Sequence, residues 1–204
     1  MYEGERFNSF SHLFGLILAV LGTAWLLGEV INTGNDACVV GAAIFGLTLV
    51  LLYLASTLYH SSLGPIKTRW QRLDHCSIYL LIAGTATPFI VSSRMDWMSW
   101  VSISGLWTLA ALGVGLELRS KKGAVPSVWL YIGLGWLAVF SVFLEWEVLG
   151  NRSFVLLLSG AVLYTVGTLF YRVSSRVKHA HGVWHLFVLM GTTSHFFSVA
   201  AHIL

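Results

Sequence analysis

The chain has 204 residues, 56% of them hydrophobic and only 10% charged, with a mean hydropathy of +0.77. Soluble domains carry about 25% charged residues, so a soluble globular domain is excluded and an integral membrane protein follows. The net charge of +3 is scattered between apolar runs, so it reads as a topology signal and no nucleic-acid partner is expected.

Long unbroken apolar runs point to helices, because a transmembrane barrel alternates inward and outward residues. Seven segments follow in chain order: residues 10–27, 37–59, 78–91, 97–116, 125–144, 154–171 and 183–204. At about 20 residues per span they use roughly 140 residues. No room remains for a separate soluble domain. The expected fold is all-α: one bundle of seven transmembrane helices over residues 1–204. The first run is long and its flank mixes Glu3, Glu5 and Arg6, so no removable signal peptide is expected.

The third segment is short unless it begins near Leu73, which makes Asp74 and His75 first-turn residues. Pro88, at the end of Gly84-Thr85-Ala86-Thr87-Pro88, should bend that helix toward its outer end. Gly41, Gly46, Gly105, Gly113, Gly160 and Gly167 fall inside spans, where close helix packing is their expected role. Trp97, Trp100, Trp146 and Trp184 lie near span ends, as interfacial anchors do.

Ten of the twelve Lys and Arg residues fall on one side: Arg6, then Lys67, Arg69 and Arg72, then Arg119, Lys121 and Lys122, then Arg172, Arg176 and Lys178. The other side holds only Arg94 and Arg152. The positive-inside rule then puts the N-terminus in the cytoplasm and the C-terminus outside. Cys38 and Cys76 fall at opposite faces of this topology, about 30 Å apart, so a disulfide between them is not expected.

On that topology the polar residues meet at one depth. Glu5, Asn8 and His12, spaced i, i+3 and i+7, share one face of a helix entering from the cytoplasm. Ser56 and His60 are one turn apart at the inner end of the second span, and Asp74 and His75 begin the third. His181 and His185, four apart, stack on one face of the last helix, which is how a helix offers two imidazoles to one metal ion. Three neutral imidazoles and a water form a common catalytic zinc shell, and such a site needs a carboxylate to take the water's proton. Asp74 is the acidic residue at that depth; Glu5 and Glu117 are the others near a span, and Glu117 has no histidine near it in sequence. No His-Glu-x-x-His motif occurs.

Plainer readings exist for each element. A lone interfacial histidine commonly serves in hydrogen bonding, and Ser56 is equally readable as a helix-packing hydroxyl. Arg72 and Asp74 could form an interfacial ion pair, and Cys76 is an alternative ligand. His195 lies ten residues past His185, about 15 Å deeper, too far to share the ion. It is expected to face a polar cavity or a neighbouring helix. His202 is near the outer surface and is set aside.

Glu5-x2-Asn8-x3-His12, Ser56-Thr57-Leu58-Tyr59-His60, the run from Asp74 to Thr85, and His181-x2-Trp184-His185 resemble the bacterial hemolysin III family. That family is related to the adiponectin and progestin receptors and the alkaline ceramidases. The resemblance runs essentially the whole chain, to Phe196. It implies zinc (Zn2+) held by His60, His181 and His185, with Asp74 holding the metal's water and Ser56 beside the site. It also implies a membrane hydrolase acting on lipid amides. Ala86 departs from the Gly-Thr-Tyr-Thr-Pro run of the family, at a position away from the expected site.

Three functions are compatible with these residues. The first is zinc-dependent hydrolysis of membrane lipid amides or esters in lipid homeostasis, at the bacterial inner (plasma) membrane with the metal near the cytoplasmic face. The second is a non-enzymatic membrane sensor or regulator with structural zinc. The third is a pore-forming hemolysin. Membrane lipids are the expected partners; protein partners are not legible in the sequence.

Overall fold

A computed structural model describes residues 4–120, 127–146 and 149–204. All regular structure among them is helical: α1 (Arg6–Ile31), α2 (Asp36–Ser61), α3 (Pro65–Val91), α4 (Trp97–Arg119), α5 (Val128–Phe143), α6 (Asn151–Val173) and α7 (Ala180–Ile203). Six of these are long and apolar enough to cross a membrane. The exception is α5, with 16 residues and a length of about 24 Å. Its predicted segment began at residue 125, and residues 125 and 126 lie outside the described residues.

The helix starts follow local chemistry. The Asn35 side chain accepts hydrogen bonds from the backbone N–H groups of Ala37 and Cys38, and Asp96 accepts from Met98 and Ser99. Each satisfies donors that a helix N-terminus leaves without partners. Helix α3 departs most from expectation: it begins at Pro65, thirteen residues before the apolar segment at 78–91. Gly64 takes φ of 65°, a conformation open to glycine, and Pro65 follows at the first helical position, where its missing N–H leaves nothing unpaired. Lys67, Arg69 and Arg72 therefore lie on a helix, and Asp74 sits well inside it instead of in the first turn. The helix also runs through Pro88 to Val91 without a break.

The packing order is a ring in which each helix touches its sequence neighbour and α7 returns to α1. Helix α3 is the inner member, contacting α2, α4, α5 and α7. Its apolar stretch is 72% buried, against 22% for α1 and for α4, so most of the apolar surface of those two outer helices faces outward. That is the arrangement a lipid solvent favours.

Small residues let the helices approach. A methyl group on Gly41 would sit 2.6 Å from the Pro88 Cα, and one on Gly46, Gly113, Gly160 or Gly167 would overlap Thr23, Tyr79, His195 or Phe187 respectively. Gly105, expected to behave likewise, faces open space. Cys38 and Cys76 are both free and buried.

Candidate metal centre

The end of the bundle that carries the N-terminus of α1, the C-terminus of α2 and the N-termini of α3 and α7 gathers the polar residues. His60 lies in the last turn of α2 and His181 and His185 in the first two turns of α7. Packing brings one ring nitrogen from each to within 4.8 Å of the others. His60 and His185 are 2% and 1% exposed, so water does not solvate them. The rings of His181 and His185 are 4.8 Å apart, as are those of His60 and His185.

The donor set fits a metal. The His60 Nδ1 lies 2.7 Å from Glu5 Oε2; donating its N–H there leaves Nε2 with a free lone pair. That Nε2 faces His181 Nε2 at 3.4 Å. Two imidazole nitrogens bound tetrahedrally at a zinc–nitrogen distance of 2.0–2.1 Å stand about 3.3 Å apart. Two lone pairs facing each other at that distance repel unless a proton or a cation lies between them. Among the described residues these three histidines are the cluster able to hold a metal ion. Cys76, the alternative ligand, is not in that cluster.

Glu5 is the hub of the outer contacts. Its Oε2 accepts from His60 and, at 2.8 Å, from Asn8 Nδ2, while Oε1 accepts from Lys67 Nζ at 2.9 Å. Partial burial pushes the Glu5 carboxyl up, but the hydrogen bonds from His60, Asn8 and Lys67 outweigh it and hold the carboxyl well below its ordinary value. His12 packs against His185 with ring centroids 3.7 Å apart and edge-on to Tyr53 at 5.1 Å.

A cavity of about 170 Å³ opens beside the cluster, lined by His181, His185, Asp74 and Ser56 at one end. Ser56 sits beside the Asp74 carboxyl. The walls are mostly aliphatic and aromatic side chains of α3, α5, α6 and α7, reaching as far as Val142, Leu157 and His195. From His185 to His195 along α7 is about 15 Å. His195 meets the neighbouring helix, its Nε2 lying 3.0 Å from the Leu157 carbonyl of α6, and the cavity it lines is mostly apolar where a polar one was the other expectation. Ala86 also lines the cavity, so its departure from the family pattern falls on the cavity wall and not away from the site.

Two residues behave otherwise than their sequence suggests. Glu117, with no histidine near it along the chain, is hydrogen-bonded to His75 Nδ1 at 2.8 Å across α3 and α4, and both side chains are 8% exposed. His75 lines the cavity next to Asp74. Arg72 does not form an ion pair with Asp74: its guanidinium donates to the Ser120 carbonyl. His202, at the far end of α7, meets Ser92 Oγ at 2.7 Å and His179 precedes α7 in a left-handed conformation. Neither belongs to the cluster.

Comparison with known proteins places the chain in a family. The profile of the family described as haemolysin-III related matches residues 1–196. Hemolysin-3 of Bacillus cereus is 35% identical over 98% of this chain and 92% of its own length. The hemolysin-3 homolog of Bacillus subtilis (strain 168) is 34% identical over 96% and 92%. The human monocyte to macrophage differentiation factor is more distant, at 26% identity over 94% of this chain and 81% of its own. A family profile over residues 1–196 and two relatives above 30% identity over nearly the whole chain lead to one conclusion: the chain belongs to the haemolysin-III related family.

Proposed function

We propose that His60, His181 and His185 hold a zinc ion and that the protein hydrolyses amide or ester bonds of membrane lipids in membrane lipid homeostasis. The observation that carries this reading is the continuity of the apolar cavity with the histidine cluster and the Asp74 carboxyl. Structural zinc sites are closed by four protein ligands, whereas catalytic ones keep a position open. Here three nitrogen donors stand at a cavity mouth with a carboxylate beside them. Imidazole donors suit zinc, while calcium and magnesium prefer oxygen.

Zinc in this place supplies Lewis acidity, polarising a carbonyl and making water acidic near neutral pH. Asp74 takes the proton of the attacking water, and Ser56 steadies its carboxyl. The carbonyl carbon gains the water oxygen and loses an amine or alcohol, which leaves with the proton, and a fatty acid results. Ile78, Leu81, Ile82, Val139, Val142 and Leu157 wall the cavity and match an acyl chain, since an apolar pocket with a few convergent polar groups is the usual form of a small-molecule site. The charge bias along the sequence supports a seven-span arrangement in the bacterial plasma membrane, with the metal near the cytoplasmic face.

A second reading has its own support. Helices α2 and α7 touch only sparsely, yet both supply ligands, so zinc could act as a structural tie in a non-enzymatic regulator. The name of the Bacillus cereus relative raises pore formation, but the mostly apolar lining of the cavity is unlike that of an aqueous channel. The test is fatty-acid release from ceramide or phospholipid in vesicles carrying the purified full-length protein. Release that stops on chelation and returns with zinc is the expected result. No release from either lipid by zinc-loaded protein contradicts the hydrolase reading.

A further inference from the structure

The motif Glu5-x2-Asn8-x3-His12 contributes no ligand to the cluster, yet all three of its side chains converge on it. We propose that α1 and its N-terminal flank form the outer shell of the metal site, Glu5 positioning His60 and His12 positioning His185. This inference rests on the reading of His60, His181 and His185 as metal ligands.

A histidine binds a metal through one nitrogen, and the other then carries a proton that needs an acceptor. That acceptor fixes the tautomer and the ring plane, and it raises the basicity of the ligating nitrogen. For His60 the acceptor is Glu5 Oε2 at 2.7 Å. The carboxylate is itself fixed, because Asn8 donates to the same oxygen and Lys67 to the other, at 2.8 and 2.9 Å. Lys67 in turn lies 4.9 Å from the centre of the Tyr59 ring. Glu5 is thus tied to α2 and to the first turn of α3 before α1 begins.

For His185 the argument goes by elimination. Its Nδ1 is buried without a hydrogen-bond partner, and a buried N–H left in that state costs about 1–3 kcal/mol. Its ring touches those of His60, His181 and His12. The first two are fellow ligands, which leaves His12. Both nitrogens of His12 are themselves buried without a partner, although the ring is only 4% exposed. A metal bound through Nε2 would fix the proton of His185 on Nδ1, and His12, whose ring is in contact with that ring, is the acceptor assigned to it.

The motif spacing now has a physical reason. Positions i, i+3 and i+7 lie on one helix face. That face is directed at the seam between α2 and α7, the two helices that carry the ligands and that α1 contacts on either side. Glu5 serves the α2 ligand and His12 the second α7 ligand, with Asn8 steadying Glu5 between them.

The experiment is zinc competition against a chromophoric chelator, using purified full-length wild type, Glu5→Ala and His12→Phe in detergent micelles. His12→Phe keeps a flat ring but removes both nitrogens. Each variant should bind zinc 10–100-fold more weakly than wild type. Its metal-free melting temperature should stay near that of the wild type, a combination a purely structural role would not give. Glu5→Gln, whose amide oxygen still accepts from His60, should recover part of the lost affinity and supplies the comparison if Glu5→Ala does not fold. Zinc affinity within twofold of wild type for Glu5→Ala would overturn the role of Glu5, as would, should Glu5→Ala not fold, an affinity of Glu5→Gln no better than that of wild type weakened about 100-fold. Affinity within twofold of wild type for His12→Phe would overturn the role of His12. A wild type that binds no zinc would instead overturn the metal reading beneath it.

Discussion

Replacing Asp74 with alanine should slow lipid hydrolysis by about 10²–10⁴-fold, the usual contribution of a positioned general base, while leaving zinc bound. The two effects separate because the ligands lie on α2 and α7, whereas Asp74 belongs to α3 and lines the cavity beside Ser56. Asp74→Asn should fall as far, since an amide keeps the shape but takes no proton. Ser56→Ala should fall less, because the hydroxyl only steadies the carboxyl. Initial rates of fatty-acid release, read together with zinc content, check this. Full activity in Asp74→Ala would remove Asp74 from the reaction, and loss of zinc along with activity would make it part of the metal shell. The structural-tie reading predicts that Asp74→Ala leaves the lipid phenotype of cells untouched.

Glu117→Ala should destabilise the protein by about 1–3 kcal/mol, the cost of leaving a buried hydrogen-bonding group without its partner. His75 and Glu117 meet at 2.8 Å with 8% of each side chain exposed. Neither can turn to water, and the truncated variant strands His75 Nδ1 between α3 and α4. Glu117→Gln should lose much less, because its amide oxygen still accepts the same hydrogen bond. Denaturation in mixed micelles measures both. A loss below about 1 kcal/mol for Glu117→Ala, the range of an exposed pair, would contradict this account. The zinc content of Glu117→Gln should stay at the wild-type level, since the pair lies outside the cluster.

How far the sequence carried these results depends on what each feature requires. Hydropathy located α1, α2, α4, α6 and α7 to within a few residues, because a span of apolar side chains is itself the physical cause of those helices. It missed the first thirteen residues of α3, since Pro65–Val91 opens on polar residues that form a helix beyond the apolar run. The turn signal was present in Gly64-Pro65.

The histidine cluster was legible because His181 and His185 are one turn apart and the four polar motifs share a depth. The selection of His60 as third ligand came from family resemblance, and its burial next to His181 agrees with it. The tie between Glu5 and His60 joins residues 55 apart, and the pair of His75 and Glu117 joins residues 42 apart on two helices. Neither partnership leaves a local pattern. A sequence reader can see that a carboxylate such as Glu117 near a span needs a partner, but not which one.

The central claim is that a metal joins His60, His181 and His185. The most direct measurement is elemental analysis of the purified full-length protein beside a variant carrying His60→Ala, His181→Ala and His185→Ala. The account predicts about one zinc per chain in wild type and none in the variant. A metal-free wild type, or equal zinc in both, would contradict it.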